Sequence, residues 1–288
     1  MGTAGDGPQD ALEAALTHGL THGLNVVDSA ANYRAGQAES VVGGVLRRLA
    51  GRGELSRDEI VLASKGGYLL PGEDPGARRH SIEPGSLMRQ LRRSLDRLGI
   101  ASLDVYLVHN PEDQLFASDR ASFDAAIRRA FESLERACAE GLVAWYGVAT
   151  WHGLRVPADH HAHLDLAGLK RVAAEAAGGE DHFRFIELPI SAVAPEALLD
   201  LQCLAGRRVS PLAAAADLGL SVFASAALGG PRAARKNDAR AATRIARSLP
   251  GVATALVGAG HLSHAVALTA AAGDPMLDLT ELAAGLTP

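Results

Sequence analysis

An aspartate, a tyrosine, a lysine and a histidine stand at the ends of apolar, β-branched runs in this sequence: Asp28 and Tyr33 in VVDSAANYR, Lys65 in IVLASKGG and His109 in LDVYLVHNP. Ionisable side chains at the ends of three different buried strands are what a barrel enzyme gathers into one site. The chemistry they suit is general acid–base work. A phenol has a free pKa of about 10, so a working tyrosine needs a cation and a hydrogen-bond donor beside it. Lys65 and His109 can supply these, and Asp28 can hold the lysine charged and aimed. Taken singly, each has a plainer reading: a strand-end cap for Asp28, a satisfied buried imidazole for His109, packing at the barrel mouth for Tyr33 and Tyr68. Co-occurrence favours the site. Lys65 is its sharpest member, because Lys65, Lys170 and Lys236 are the only lysines in a chain rich in arginine.

The elements that must position these residues alternate along the chain. LNVVD (24–28) precedes a helical pattern over 39–50, EIVLASK (59–65) one over 84–99, and LDVYLVH (103–109) one over 123–141. LVAWYGVA (142–149), FRFIEL (183–188), GLSVFASA (219–226) and VATALVG (252–258) complete seven strands, with helical patterns such as RVAAEAAGG and RAATRIARSLPG following. Such alternation implies parallel strands joined by right-handed crossovers, either a barrel or a doubly wound sheet. Hydrophobic residues make up 48% of the 288 and aromatics 4%, a core of Ala, Val, Leu and Ile that suits helices wrapped on a parallel sheet. With no Pro/Gly/Ser-rich linker, residues 1–288 read as one domain.

A net charge of −5 gives no electrostatic reason to expect nucleic acid or an anionic membrane. Neither an export signal nor an apolar run of about 20 residues is visible. Cys138 and Cys203 fall in helical patterns without metal or disulfide spacing and read as reduced core residues of a cytoplasmic protein. His160, His161 and His163 in PADHHAHLDL read as a solvated loop rather than metal ligands, and no metal is expected.

With their flanks GLNVVDSAANYR and SLDRLGIASLDVYLVHNPED, these residues resemble the aldo-keto reductase family, and AEGLVAWYGVATWHGLR, FRFIELPISAVAPEAL and LGLSVFASAALGG are similar to one bacterial branch of it. The resemblance runs over about residues 2–272 and selects the TIM-type (β/α)8 barrel. In that family a β-hairpin plug and a first strand precede the first helix. Here helix DALEAALTHGL (10–20) starts almost at once, and Gly2 and Thr3 resemble the last residues of that strand. The expectation is a barrel lacking the hairpin plug and most of its first strand. Its open edge would need a partner segment, a homodimer contact or a distorted closure.

What the resemblance implies is an NADPH-dependent reductase of aldehydes or ketones, with Tyr33 protonating the carbonyl oxygen, Lys65 lowering the tyrosine pKa, Asp28 pairing with Lys65 and His109 orienting the carbonyl. It places the cofactor against Thr150, Glu187, Ser225, Gly258, Gly260 and His264. Several of these depart from the family pattern. Gly260 stands where a cation holds the 2′-phosphate, Ala267 and Leu268 replace the Glu-Asn pair that holds adenine, and Glu187 and Ser191 replace the Gln and Asn at the nicotinamide end. A carboxylate does not donate to an amide oxygen unless it is protonated. A helix N-terminus after Gly258 can still hold phosphate through backbone N–H groups. Two alternatives therefore stand beside the reductase: a redox-free dehydratase, isomerase or lyase using the same acid–base groups, and a non-catalytic binding or regulatory protein of this fold.

The loops after Lys65 and after His109 are the longest at the strand ends. They put Tyr68, Asn110 and, with the loop after the fifth strand of the family pattern, Trp151 in reach of a small-molecule carbonyl substrate. Arg34 can meet an anionic group of that substrate or form a structural ion pair.

Overall fold

The computed structural model describes residues 1–4, 7–73, 76, 79–229, 238–258 and 260–278. The strands are β1 (Val26–Asp28), β2 (Val61–Gly66), β3 (Leu103–His109), β4 (Val143–Ala149), β5 (Phe183–Pro189), β6 (Gln202–Leu204), β7 (Arg207–Val209), β8 (Ser221–Ser225) and β9 (Val252–Ala255). The helices are α1 (Gln9–Thr21), α2 (Gln37–Gly51), α3 (Pro84–Leu98), α4 (Arg120–Ala139), α5 (Leu166–Ala177), α6 (Pro211–Asp217), α7 (Ala239–Ser248) and α8 (Leu262–Ala272). Seven strands form one parallel sheet in the order β1-β2-β3-β4-β5-β8-β9. It curls into a nearly closed barrel with helices outside.

The local signals are conventional. Pro84 opens α3, and Gly99, at φ 68°, ends it in a left-handed cap. Asp119 caps α4 by accepting from the Ser122 N–H at 2.8 Å, and Ser210 caps α6 through the Ala213 N–H. Between β5 and α6 the sequence reading missed a hairpin. β6 and β7 pair antiparallel across Ala205-Gly206, both at positive φ, the geometry of a two-residue hairpin turn. Cys203 lies on β6 and is exposed, not in a helical core; Cys138, on α4, is partly buried. A three-residue strand carries too few apolar positions to reveal its period.

The first-strand residue survives as expected, and it does structural work. Gly2 bridges in parallel to Asp28 on one side and to Gly258 on the other. Its N–H donates to Val257 O at 2.9 Å, Thr3 N–H donates to Asp28 O at 3.0 Å, and Asp28 N–H donates to Met1 O at 2.8 Å. Residues 1–3 thus fill the upper part of the gap between β1 and β9. Below them the two strands stay apart, leaving a groove lined by Leu24, Asn25, Val26, Ala253, Thr254 and Ala255.

Two layers of apolar packing follow from the strand and helix periods. Outward-facing strand residues and the inner faces of the helices make the large core, for example Leu62, Tyr106, Val108, Tyr146 and Ile186 against Leu12, Leu16, Leu91 and Phe131. Inside the barrel, Val26, Val61, Ala63, Val105, Leu107, Ala149, Phe185, Phe223 and Leu256 form a separate cluster. These inward positions recur every second residue, as the pleat demands. The next inward position up the strand is Asp28 after Val26, Lys65 after Ala63, His109 after Leu107, Glu187 after Phe185 and Ser225 after Phe223. Apolar layers below and a polar layer at the carboxyl ends of the strands place the site.

Candidate active site

A cleft of about 690 Å³ opens over that polar layer. Its floor carries Asp28, Tyr33, His109 and Glu187, one wall Asn110, Thr150 and Trp151, and its far end Gly258, His264, Ala267 and Leu268. Ser225 also lines it, while Lys65 sits fully buried under the floor.

Lys65 is the hub. Its Nζ donates to Asp28 Oδ1 at 2.5 Å, to Ser29 O at 3.2 Å and to Tyr33 Oη at 3.3 Å, and it lies 5.0 Å from the Tyr33 ring centroid. Glu187 Oε2 approaches it at 3.2 Å. Burial alone would pull the ammonium pKa down, but Asp28, Glu187 and Tyr33 together push it above the ordinary value, so Lys65 stays charged.

Tyr33 reaches the site from a constrained turn. Its N–H donates to Ala30 O, and Arg34 and Ala35 follow at φ 52° and 54° before Gly36 at 87°. Left-handed backbone at two non-glycine residues costs about 1 kcal/mol each, and it turns the chain from β1 into α2 over the barrel mouth. Burial raises the Tyr33 pKa, Lys65 opposes, and Asp28 and Glu187 add to the rise. Lys65 thus acts in the expected direction but does not win: the resting side chain is a phenol, held as a proton donor.

His109 is neutral, because burial, then Lys65, then His80 hold its pKa well below the usual imidazole range. Edge-on rings of Tyr33 at 5.9 Å and Tyr68 at 4.9 Å flank it. Tyr68 itself does not line the cleft. Its hydroxyl donates to Asp113 Oδ2 at 2.5 Å and accepts from Asn110 Nδ2 at 2.9 Å, so it braces His109 and Asn110 from behind. Arg34 is also off the cleft, with Nη1 donating to Gly7 O at 2.7 Å. Gly260 is buried and outside the lining.

Thr150 lines the cleft with its hydroxyl already committed. Oγ1 donates to Glu112 Oε1 at 2.5 Å and accepts from the Gly153 N–H at 2.7 Å. The same Glu112 oxygen accepts from the N–H groups of Trp151, His152 and Gly153, which fixes the loop that presents Trp151. Sequence reading missed Glu112. An acidic residue directly after a strand-end Asn-Pro was its only signal. His163, expected in a solvated loop, is 8% exposed, and its ring nitrogen bonds Val156 O at 3.0 Å.

Glu187 is the unusual member. It is 6% exposed, and its contact with Lys65 misses hydrogen-bond geometry, so Oε2 has no hydrogen-bond partner. Burial, then the charge of Asp28, pushes its pKa up to about 8 against the pull of Lys65 and the Ser225 hydroxyl. Its surroundings therefore favour the neutral, protonated form.

A parallel α/β barrel whose inward top layer carries an Asp-Tyr-Lys-His cluster defines the class, and sequence comparison gives the family. The aldo/keto reductase family model matches residues 2–164, and the chain belongs to that family. It is 26% identical over 177 residues to a putative voltage-gated potassium channel subunit beta of Schizosaccharomyces pombe (59% of this chain, 46% of that protein). It is 29% identical over 157 residues to a D-threo-aldose 1-dehydrogenase of a Pseudomonas species (48% and 42%). The chain thus spans less than half the length of these curated relatives. An aldo/keto reductase from Klebsiella pneumoniae, solved with NADP and acetate, is 25% identical and superposes with a TM-score of 0.67 over 100% of this chain and 91% of that one. An aldo-keto reductase from Bacillus halodurans in its holo form, 18% identical, shares the fold with a TM-score of 0.72 over 100% and 91%.

Proposed function

We infer that this protein reduces an aldehyde or ketone to an alcohol with a nicotinamide cofactor, NADPH. The observation that carries the reading is the Tyr33 hydroxyl 3.3 Å from a lysine that a buried aspartate pins at 2.5 Å, on the floor of a cleft of about 690 Å³.

The residues present fit the cofactor at its nicotinamide end. Glu187 Oε2 is buried without a hydrogen bond, and as a neutral acid it can donate to a carboxamide oxygen, with Ser225 beside it. Thr150 also lines the cleft, its hydroxyl held by Glu112. At the far end the described residues offer the backbone at Gly258, the start of α8 and His264, beside apolar Ala267 and Leu268. When bound, the nicotinamide supplies the hydride.

The chain's own groups handle the proton. Tyr33 holds its proton until the carbonyl oxygen gains charge, then donates it. Lys65 stabilises the phenolate left behind, Asp28 keeps Lys65 in place, and neutral His109 offers an N–H to the carbonyl oxygen. Asn110 and Trp151 border the space beside His109 where the rest of a substrate would lie, with Tyr68 behind them; Arg34 serves the turn. The reading takes the chain as one barrel domain, with no nucleic-acid partner, working in the cytoplasm. Among the described residues no helix is long and apolar enough to cross a membrane. A homodimer contact over the groove between β1 and β9 belongs to this reading too, and sedimentation velocity tests it.

Fluorescence titration with NADPH, with NADH for comparison, tests the function. Micromolar binding and Tyr33-dependent consumption of NADPH by aldehydes or ketones are expected. Absence of binding up to millimolar nucleotide would move the site to redox-free acid–base chemistry on a carbonyl compound, the reading that apolar Ala267 and Leu268 favour.

A further inference from the structure

Three ionisable side chains meet at one buried point. Asp28, Lys65 and Glu187 are 3%, 1% and 6% exposed, and one ammonium lies between two carboxyl groups at 2.5 and 3.2 Å. With both carboxyls ionised the floor would hold an uncompensated negative charge out of water, an arrangement proteins avoid by keeping a proton. Geometry says which group keeps it. Burial raises the Asp28 pKa too, but Lys65 opposes it through its charge and the short hydrogen bond, whereas the Glu187 contact is longer and leaves Oε2 unpartnered. The groups that face Glu187 are Asp28 from β1, Lys65 from β2, Tyr33 from the turn after β1 and Ser225 from β8. Lys65 and Tyr33 have their pKa values raised and keep their protons, and His109 from β3 is held neutral. Loss of the Glu187 proton therefore adds one negative charge to a floor that faces the cleft.

We propose that Glu187 reads the charge of the nicotinamide ring, standing as a neutral acid with the uncharged reduced form and as a carboxylate with the positively charged oxidised form. The proton it loses goes to solvent as the oxidised nucleotide binds, and no other bond changes. This rests on the cleft binding the cofactor as inferred above. An attraction between opposite charges in a dry site is strong, and it acts on one redox form alone. Rising pH thus favours retention of the oxidised nucleotide and biases the site toward alcohol oxidation.

Titration calorimetry of the intact protein with NADP+ and with NADPH, from pH 6.5 to 9 in buffers of different ionisation enthalpy, decides the matter. Because both nucleotides carry the same phosphates, their difference isolates the ring. At pH 7 about one more proton should leave per NADP+ bound than per NADPH, and the ratio of the two affinities should shift by about tenfold per pH unit until it levels above pH 8. Glu187→Gln should abolish both effects. The wild-type proton count stands without the variant, should the variant fold poorly. Parallel pH profiles for the two nucleotides, or an unchanged difference in Glu187→Gln, would overturn the inference while leaving the reductase reading intact. Failure of both nucleotides to bind would overturn both readings.

Discussion

The carbonyl oxygen of Phe185 occupies the place where a side chain on Gly147 would begin: a β-carbon there would lie 1.8 Å from it. Strands β4 and β5 approach this closely at an irregularity between Tyr146 and Gly147, where the partner residue jumps from Phe183 to Phe185. One extra residue in β5 sets which of its side chains face inward. It brings Phe185 and Glu187 into the barrel, and Glu187 into register with Ala149. Gly147→Ala should cost about 3 kcal/mol in urea unfolding, and a cost under about 1 kcal/mol would show that the strands have room to part.

Lys65→Met should remove turnover and leave Asp28 and Glu187 facing each other without a counterion. Breaking a buried pair in this way costs about 3–5 kcal/mol. The deficit should be largest at alkaline pH, where both carboxyls are pressed to ionise, and should shrink as pH falls. Asp28→Asn combined with Lys65→Met should recover much of the stability and none of the activity. Equal deficits in the single and double variants, measured in one denaturant series, would contradict the pairing.

Tyr33→Phe removes one hydroxyl whose hydrogen-bond partner among the described residues is Lys65. The expected result is a fall in kcat of roughly 10²–10⁴-fold, with unfolding free energy within about 1 kcal/mol of wild type and little change in KM. Retained turnover would take the proton donor's role away from Tyr33.

Two side chains give opposite pH slopes to stability. The Glu187 pKa rises from 4.5 to about 8 on folding, so between those values the folded state binds the extra proton and stability falls as pH rises. His109 is held well below 6.5 in the fold. Below pH 6.5 the unfolded chain binds its proton first, so stability falls as pH falls. The difference in unfolding free energy between wild type and Glu187→Gln should therefore decline by up to about 1.4 kcal/mol per pH unit between pH 5 and 8. The difference against His109→Gln should instead grow from acid pH up to about 6.5. Flat difference curves would mean that neither group is perturbed.

All seven barrel strands were legible from stretches rich in apolar and β-branched residues, continuous in VYLV (105–108) and LVAWY (142–146) and interrupted by polar residues in LNVVD and FRFIEL. Their reading also foresaw Asp28, Tyr33, Lys65 and His109 around one point, since strand ends in a parallel barrel converge whatever the loops do. Glu187 and Ser225 were placed by resemblance, and the period-two inward columns explain why they arrive there. What escaped were features made by contacts distant in sequence. The Glu112 carboxylate under the 150–153 loop, the bracing of His109 by Tyr68 and the diversion of Arg34 to Gly7 depend on loop paths that no local pattern encodes. The desolvation of the Tyr33 hydroxyl was equally invisible, and it outweighs the lowering effect of Lys65 on the phenol.

The wedge formed by residues 1–3 has a mechanical meaning. Asp28 is gripped on both backbone groups by this wedge, through Met1 O and the Thr3 N–H, while its side chain restrains Lys65. A tug on Gly2 is thus transmitted, within two hydrogen bonds, to the counterion of the lysine that faces Tyr33. The seam of the barrel and the reactive centre are one lever, and strain at Gly2 pulls on its short arm.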